Sequence, residues 1–596
     1  MSENQRIAGA LESMARLLEL TGANRFRVNA FAKGARAVES CPQDLAKLSA
    51  DPAKLQAIEG IGQSIAGLIV EFVEHGSIAD LEALRAEVPA GVAQMLDIPG
   101  MGPKTARAIW QDLGVTTIEG LEQAIDDGSI LTVPRMGEKS AEKLKRSIAF
   151  LRTSGSRLHL GIAGVASDTI LAFLRGLDGV KRVEAAGSVR RGKETIGDLD
   201  FLVVASDSAA IHKAFCAMPG VIEVVGSGES KSSVRIDLGD FGSRWNAKGD
   251  EATGVQADLR TVPEASWGAA LMYFTGSKEH NVRLRERAIK AGFTLNEYGL
   301  FPEDGEDGPP QSRGVEPIES ATEEAIYARL GLAMIPPEIR EDRGEFALEA
   351  TPRLIETGDI RSELHAHTTS SDGVMSLDAL IEQAIERGLH TIAVTDHSRS
   401  AVQANGLSVE RLRAQRAEIE LARERYGDRI TILAGNEVDI LTDGSLDYAD
   451  DVLAELDHIV ASPHIALSQA PAEATARLIR AIEHPLVRVL GHPTGRLINR
   501  RKGLEPAMDE IIAAAIEHDV ALEINAHWMR LDLRDTHVRA AVEAGCLLAI
   551  NTDAHAPEDF DNLRFGVQTG RRGWLGPEQC VNTWSKDKLR KWLKRG

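Results

Sequence analysis

The sequence is short of cysteine, of aromatic residues, of long apolar runs and of positive charge. Only 4 cysteines occur in 596 residues, Cys41, Cys216, Cys546 and Cys580, and no two form a CxxC pair. A disulfide framework is thereby excluded, and the thiols read as those of a reduced, cytoplasmic protein. No apolar run is long enough to cross a bilayer, so no membrane partner is expected. The opening MSENQRIAGALESM lacks the basic-then-apolar layout of a secretory leader. Net charge is −21, unevenly placed. Residues 1–300 hold 35 Lys and Arg against 38 Asp and Glu, a net of −3, whereas 301–596 hold 33 against 51, a net of −18. So acidic a chain is a poor non-specific binder of phosphate backbones, and any nucleic acid must be held by local features of the front half. The length predicts three or four domains, and the 43% hydrophobic and 26% charged residues are those of a globular chain.

What is present begins with a threefold repeat. The stretches LQAIEGIGQSIAGLIVEF (55–72), MLDIPGMGPKTARAIWQD (95–112) and LTVPRMGEKSAEKLKRSI (131–148) each place a tight turn before helical apolar spacing. Gly60 and Gly62 form the first turn, and Gly100 and Gly102 the second. The third keeps only Gly137, with Arg135 at the first glycine's place. Glycines free the backbone to turn its N–H groups outward beside a helix N-terminus, where they can hold a phosphate without net positive charge. The pattern resembles the helix-hairpin-helix motif, which grips the DNA backbone without reading sequence. It also suits plain helix packing with glycine caps, a reading that three spaced copies make the weaker one. Lys104 and Lys33 are the basic side chains expected to join these turns on phosphate.

Residues 155–262 change character: FLVVAS, VIEVVGSG, SVRIDLGD and VQADLRTV read as strands. A helical piece follows over 263–343, interrupted by the loop PEDGEDGPPQSRGVEP, and 344–359 reads as a linker. From 360 to 596, apolar strands alternate with helices, predicting βα units around a parallel sheet.

Within GSVRRGKETIGDLDFLVV (187–204), Asp198 and Asp200 stand two apart at the start of a strand and so share a face. Asp258, in VQADLRTV, has the same layout on another strand. Carboxylates so close repel unless cations lie between them, and three acids on neighbouring strands suit two Mg²⁺ or Mn²⁺ ions and an in-line phosphoryl displacement. This stretch resembles the nucleotidyltransferase palm of family X DNA polymerases, and YFTGSKEHN (273–281) with LNEYGLF (295–301) is similar to that family's thumb. The resemblance implies a lyase-type helical domain at 1–85, fingers at 86–154, a mixed-sheet palm at 155–262 and an α/β thumb at 263–343. It implies that Asp198 and Asp200 bind both metals and Asp258 the catalytic one. It places Gly187, Ser188, Arg191 and Gly197 on the nucleotide triphosphate, Tyr273, Phe274 and Gly276 around the sugar, and Asn281 and Arg285 at the nascent base pair. Deoxynucleoside triphosphates and gapped or nicked primer–template DNA are the implied partners. One departure stands out. Where eukaryotic repair members carry a Schiff-base lysine, this sequence has Leu68, which has no amine to run that chemistry.

In the back half, histidines and acids recur at the ends of strand-like runs: His365, His367, Asp372, His397, Glu437, His464, His492, Asp553 and His555. In a βα barrel those ends converge on one mouth. Imidazole with carboxylate suits Zn²⁺, Mn²⁺ or Fe²⁺, and nine such groups suit three ions, with Glu437 as a bridge. The set resembles the polymerase-and-histidinol-phosphatase (PHP) domain, implying a distorted TIM-like (β/α)7 barrel. It groups His365, His367, Glu437 and Asp553 at one ion, Glu437, His464 and His492 at a second, and Asp372, His397 and His555 at a third. The whole is therefore expected to be a multidomain α/β, monomeric bacterial DNA repair enzyme. It would fill short gaps in front and carry out metal-dependent 3′–5′ excision or 3′-end processing behind, with cleavage at abasic sites a further family activity. Two competing readings make the front half mainly a DNA-binding scaffold for the phosphoesterase, or the back half a structural, metal-filled appendage.

Overall fold

A computed structural model of the chain describes residues 3–41, 43, 45–58, 60–98, 101–134, 136–138, 140–142, 144–145, 147–148, 157–238 and 254–594. It divides into two compact units, Met1–Ser156 and Arg157–Gly596.

The first unit is helical. Helix α1 (Glu3–Thr21) buries Ile7, Leu11, Met14 and Leu18, spaced three and four apart, against α2 (Arg25–Ser40). The three glycine turns share one set of backbone bonds. Ile61 N donates to Ile58 O at 3.0 Å, Met101 N to Ile98 O at 2.9 Å and Met136 N to Val133 O at 3.0 Å. In each, the residue at the second glycine then accepts the first helical bond, from Ala66, Ala106 and Ala141. The third turn keeps these bonds although its first glycine is missing; Arg135 itself, like Gly100, lies outside the described residues. Helix α3 (Gln63–His75) follows the first turn and α4 (Pro103–Leu113) the second.

The second unit opens with helix α5 (Leu160–Arg175) and a five-stranded sheet, β1 (Val180–Ala185), β2 (Asp198–Ala205), β3 (Val221–Ser227), β4 (Lys231–Asp237) and β5 (Gly254–Thr261). Its order is β1-β2-β5-β4-β3, with β2 and β5 parallel and the other pairs antiparallel. The short helix α6 (Gly187–Arg190) sits between β1 and β2, and α7 (Trp267–Thr275) and α8 (Lys278–Lys290) lead into the thumb. The stretch read as a linker is docked to the thumb. Glu345 is fully buried, its Oε1 2.8 Å from His280 Nδ1, and Phe346 stacks on that imidazole.

Seven parallel strands follow in sequence order: β6 (Ser362–Glu363), β7 (Thr391–Val394), β8 (Thr431–Asp439), β9 (His458–Ser462), β10 (Val489–Leu490), β11 (Ala521–Asn525) and β12 (Leu548–Asn551). A parallel bridge between Ala366 and Ala554 closes the ring. Leu364, Ala393, Val460, Val489, Ala521 and Ala549 fill a core that Val581, Trp584, Leu589 and Trp592 join from the C-terminal segment. That segment ends in α10 (Lys586–Leu593), after α9 (Leu563–Arg572). No described helix is long and apolar enough to cross a membrane.

Palm and barrel share one core. Ile498, Trp528, Leu531 and Phe565 of the barrel pack with Leu160, Ile196 and Phe201 of the palm. Gly161 of α5 lies so close to Trp528 that a Cβ there would stand 2.5 Å from the tryptophan Cβ. Around this apolar contact, Arg496 pairs with Glu194 at 2.7 Å, Arg571 with Glu338 at 2.7 Å and Arg343 with Asp535 at 3.1 Å.

Candidate metal centres in the palm and the barrel

In the palm, Asp200 on β2 stands opposite Asp258 on β5, and Asp198 opposite Gln256. Strand alternation puts Asp198 and Asp200 on one face, so the three carboxylates meet on one face of the sheet, across its neighbouring strands β2 and β5. Burial, then the charges of Asp198 and Asp258, push the Asp200 carboxyl up to about 7. Desolvation and then the charge of Asp258 raise Asp198 as well, although the residue is exposed. Carboxylates held this close to neutrality are short of positive charge, and hard oxygen donors in this arrangement fit Mg²⁺ or Mn²⁺. Part of the deficit is met by Lys231, whose Nζ lies 2.7 Å from Asp258 Oδ2, while Gln256 Nε2 donates to Asp258 Oδ1 at 3.0 Å.

Gly187 lies beside the same carboxylates. Its φ is +58°, and a Cβ there would stand 2.4 Å from Asp200 Oδ2, so any side chain is excluded twice over. Ser188 follows it in α6. Arg191 is turned toward the thumb: its Nε donates to Glu341 Oε1 at 3.1 Å and its guanidinium also bonds the Thr275 carbonyl. Gly197 approaches Arg157, whose Nη1 would lie 3.0 Å from a Cβ. Tyr273 and Phe274 meet edge-on at 5.2 Å near the end of α7, and the Arg260 guanidinium lies 4.6 Å from the Phe274 ring centroid. Gly276, with φ +71° and a cis peptide to Ser277, joins α7 to α8. On α8, Asn281 Nδ2 donates to the Tyr273 carbonyl at 2.7 Å, and exposed Arg285 stands one turn on.

In the helical unit, Gly62 and Lys104 are exposed, Gly60, Gly102 and Gly137 form the turns, and Lys33 packs beside Gly60. Leu68 packs its half-buried side chain against the apolar core.

The barrel brings all nine predicted groups to its C-terminal mouth. His365 Nε2, His464 Nε2 and His492 Nε2 lie 3.2, 3.3 and 2.9 Å from Glu437 Oε1, and His397 Nδ1 lies 2.7 Å from Glu437 Oε2. Asp553 Oδ1 is 3.0 Å from His367 Nε2, and Asp372 Oδ1 is 3.3 Å from His555 Nε2 and 3.5 Å from His397 Nε2. Glu437 thus stands at the centre, the place given to a bridge. The clusters overlap more than the grouping expected. His367 also lies with Asp372, His397 and His555, and His397 also lies with Glu437 and His464.

The fit to metal can be read from what these atoms lack. His365 Nε2, His397 Nδ1 and Glu437 Oε2 are buried and make no hydrogen bond among the described residues, although opposing nitrogens and oxygens stand at ion-pair distance. Atoms so arranged are donors converging on a cation. Burial disfavours charge on each group; it prevails at His367, lowered to about 4, and at His492, whereas pairing overrides it at Glu437, Asp553 and His464. Glu437 and Asp553 are held well below the carboxylate range by surrounding imidazoles, and His464 is pushed up to about 10 by Glu437 and Asp439.

Sequence reasoning missed the groups that orient these ligands. Glu523 Oε1 lies 2.8 Å from His365 Nδ1, Asp439 bonds His464 Nδ1, and Asn525 Nδ2 donates to Asp553 Oδ2 at 3.0 Å. Glu523 and Asn525 lie on β11, the one strand whose end supplied no predicted ligand, and that gap was the available signal. Such partners fix ring tautomer and raise ligand basicity.

A carboxylate triad on a mixed sheet, fused to a multi-ligand mouth on a parallel barrel, defines a metal-dependent enzyme of two phosphoryl-transfer sites. Four segments of the chain match known families. Residues 2–78 match the helix-hairpin-helix domain, 92–149 the SAM-like helix-hairpin-helix tandem, 270–341 the DNA polymerase beta thumb and 363–527 the PHP domain. The DNA polymerase/3′-5′ exonuclease PolX of Bacillus subtilis (strain 168) is 36% identical over 586 residues, 98% of each chain. DNA polymerase lambda of Arabidopsis thaliana is 26% identical over 298 residues, covering 48% of this chain and 53% of its own. That of Rattus norvegicus is 25% identical over 350 residues, covering 57% and 56%. The chain belongs to the PolX family of DNA polymerase/3′-5′ exonucleases.

Proposed function

We propose that this chain fills short gaps in DNA at the palm and removes nucleotides from 3′ ends at the barrel. In synthesis the primer 3′ oxygen bonds to the α-phosphorus of an incoming deoxynucleoside triphosphate and pyrophosphate leaves. Asp198, Asp200 and Asp258 would hold Mg²⁺ or Mn²⁺, which when bound neutralises phosphate charge at the reacting centre. Gly187, Ser188 and Gly197 form a backbone surface for the triphosphate, with Arg191 reaching it on release from Glu341. Tyr273, Phe274, Gly276, Asn281 and Arg285 bound the sugar and base. The glycine turns, with Lys33 and Lys104, track the backbone of gapped or nicked duplex.

In excision, water oxygen bonds to the terminal phosphorus and the penultimate 3′ oxygen leaves with a proton, releasing a nucleoside monophosphate. The nine barrel groups would hold up to three Mn²⁺, Zn²⁺ or Fe²⁺ ions, which when bound supply an acidified water and charge stabilisation. Glu523, Asp439 and Asn525 keep the ligands oriented. Cleavage at abasic sites is a further reaction of the same mouth, and Leu68 leaves no amine for a Schiff-base lyase step in front.

The observation that carries this reading is the presence of two separate converging donor sets in one chain. Its test is a 5′-labelled one-nucleotide gap, incubated with and without nucleotides over Mg²⁺, Mn²⁺ and Zn²⁺. Asp198→Ala with Asp200→Ala is expected to lower extension by at least about a thousandfold, the scale of losing preorganised electrostatic stabilisation, and to leave excision intact. His365→Ala with His367→Ala is expected to do the reverse. A parent enzyme that excises but never extends would make the front half a scaffold, and excision surviving the histidine changes would make the barrel structural.

A further inference from the structure

The loop after β11 reads NAHWMRLDL, residues 525–533. It leaves the barrel at Asn525 and returns at Asp532, where Asn525 N donates to Asp532 O at 2.6 Å. Inside it, Arg530 N and Leu531 N both donate to the His527 carbonyl, at 2.7 and 3.0 Å. The turn carries the Arg530 side chain to the mouth, where its Nε lies 3.8 Å from Asp553 Oδ2.

Arg530 differs from the other arginines near the mouth. Arg399 bonds Asp447, Arg496 bonds Glu194 and Arg501 bonds the Gly495 carbonyl. The Arg530 side chain is 21% exposed, and its guanidinium makes no hydrogen bond to any described residue and has only the long Asp553 contact. Its donors therefore remain open beside a metal ligand. The guanidinium fork matches two oxygens of one phosphoryl group.

We propose that Arg530 grips the non-bridging oxygens of the phosphodiester at the barrel mouth, and of the nucleoside monophosphate after cleavage. The assignment rests on the reading of the barrel as a phosphodiesterase.

The structure also accounts for how a loop residue is held firmly enough for this task. Arg496 Nε donates to the Arg530 carbonyl at 2.9 Å, its guanidinium bonds the Leu531 carbonyl too, and Nη2 reaches Glu194 of the palm at 2.7 Å. Ile498 N donates to the Met529 carbonyl at 2.8 Å. Trp528, 2% exposed, lies against Gly161 and meets His159 edge-on at 4.9 Å. The palm thus forms one wall of the seat on which the arginine stands, making Glu194 a positioning residue of the nuclease. Donors fixed before the reaction need no reorganisation during it.

The test compares metal-loaded full-length parent, Arg530→Ala and Arg530→Lys in four measurements: excision from a labelled single strand, primer extension, metal content, and calorimetric binding of deoxyadenosine monophosphate. Arg530→Ala is expected to slow excision by about 10²- to 10³-fold, as for loss of one preorganised oxyanion donor, and to weaken monophosphate binding at least about tenfold. Metal content and extension stay at parent levels. Arg530→Lys, a point charge without the fork, is expected to recover excision in part. Excision by Arg530→Ala within about threefold of the parent overturns the proposal. So does a loss of metal in step with excision, which makes the arginine a support for Asp553 only. A parent that binds the monophosphate but excises nothing sinks the nuclease reading instead, and the binding comparison still decides whether Arg530 holds phosphate.

Discussion

The palm and the barrel solve the crowding of charged ligands in opposite ways. The palm sets three carboxylates against one paired lysine, Lys231, and burial with their mutual repulsion still raises Asp200 to about 7. The barrel interleaves imidazoles with carboxylates, and each pair suppresses its neighbour's cost: Glu437 faces four histidine nitrogens within 3.3 Å. The difference teaches which metals stay and which come and go. A self-repelling triad gains most when cations arrive with a polyanionic substrate. A neutralised, oriented ligand set holds its ions between turnovers.

Four measurements would break or sharpen this contrast. The largest effect is expected from stripping metal with a chelator. Ions resident in the barrel at a thousand times their dissociation constant stabilise by about 4 kcal/mol, so thermal unfolding should shift strongly and recover on adding Mn²⁺ or Zn²⁺. Asp198→Ala with Asp200→Ala should leave that shift unchanged. Next, Trp528→Ala removes a buried indole from the core that palm and barrel share, and a change of this kind costs about 3–5 kcal/mol. Extension and excision should decline together, and loss of only one separates the two sites mechanically.

A smaller effect concerns pH. Burial and neighbouring acids raise the Asp200 carboxyl to about 7, so below that value a proton competes with the cation. The Mg²⁺ needed for half-maximal extension should fall about tenfold per pH unit up to 7, one proton being displaced, and level off above it. In the barrel the competing protons sit on His464 and His555, raised to about 10 and about 9, so metal retention there should go on improving through pH 8. Identical profiles at the two sites would end the contrast. The smallest effect is expected from Lys104→Ala. Loss of one phosphate contact should weaken duplex binding evenly across sequences and lower the salt slope by about one.

Much of this was legible in the sequence because its signals are local. A strand of period two fixes Asp198 and Asp200 on one face without knowledge of neighbours, and the histidines announce themselves by following apolar runs. What was not legible depends on long-range packing. Nothing in GSVRRGK tells that Arg191 turns to Glu341, 150 residues away. Nor does LHLGIAG tell that Gly161 leaves room for Trp528. The overlap of the barrel clusters was also hidden, because ligand spacing along the chain gives membership of a site but not which atoms face which.

The contact between Gly161 and Trp528 ties the barrel to the palm. A barrel produced without residues 1–343 would not be a self-sufficient nuclease, because Trp528, Leu531 and Phe565 would lose their covering and seek another surface. The two activities therefore share one core, and changes of packing there reach both.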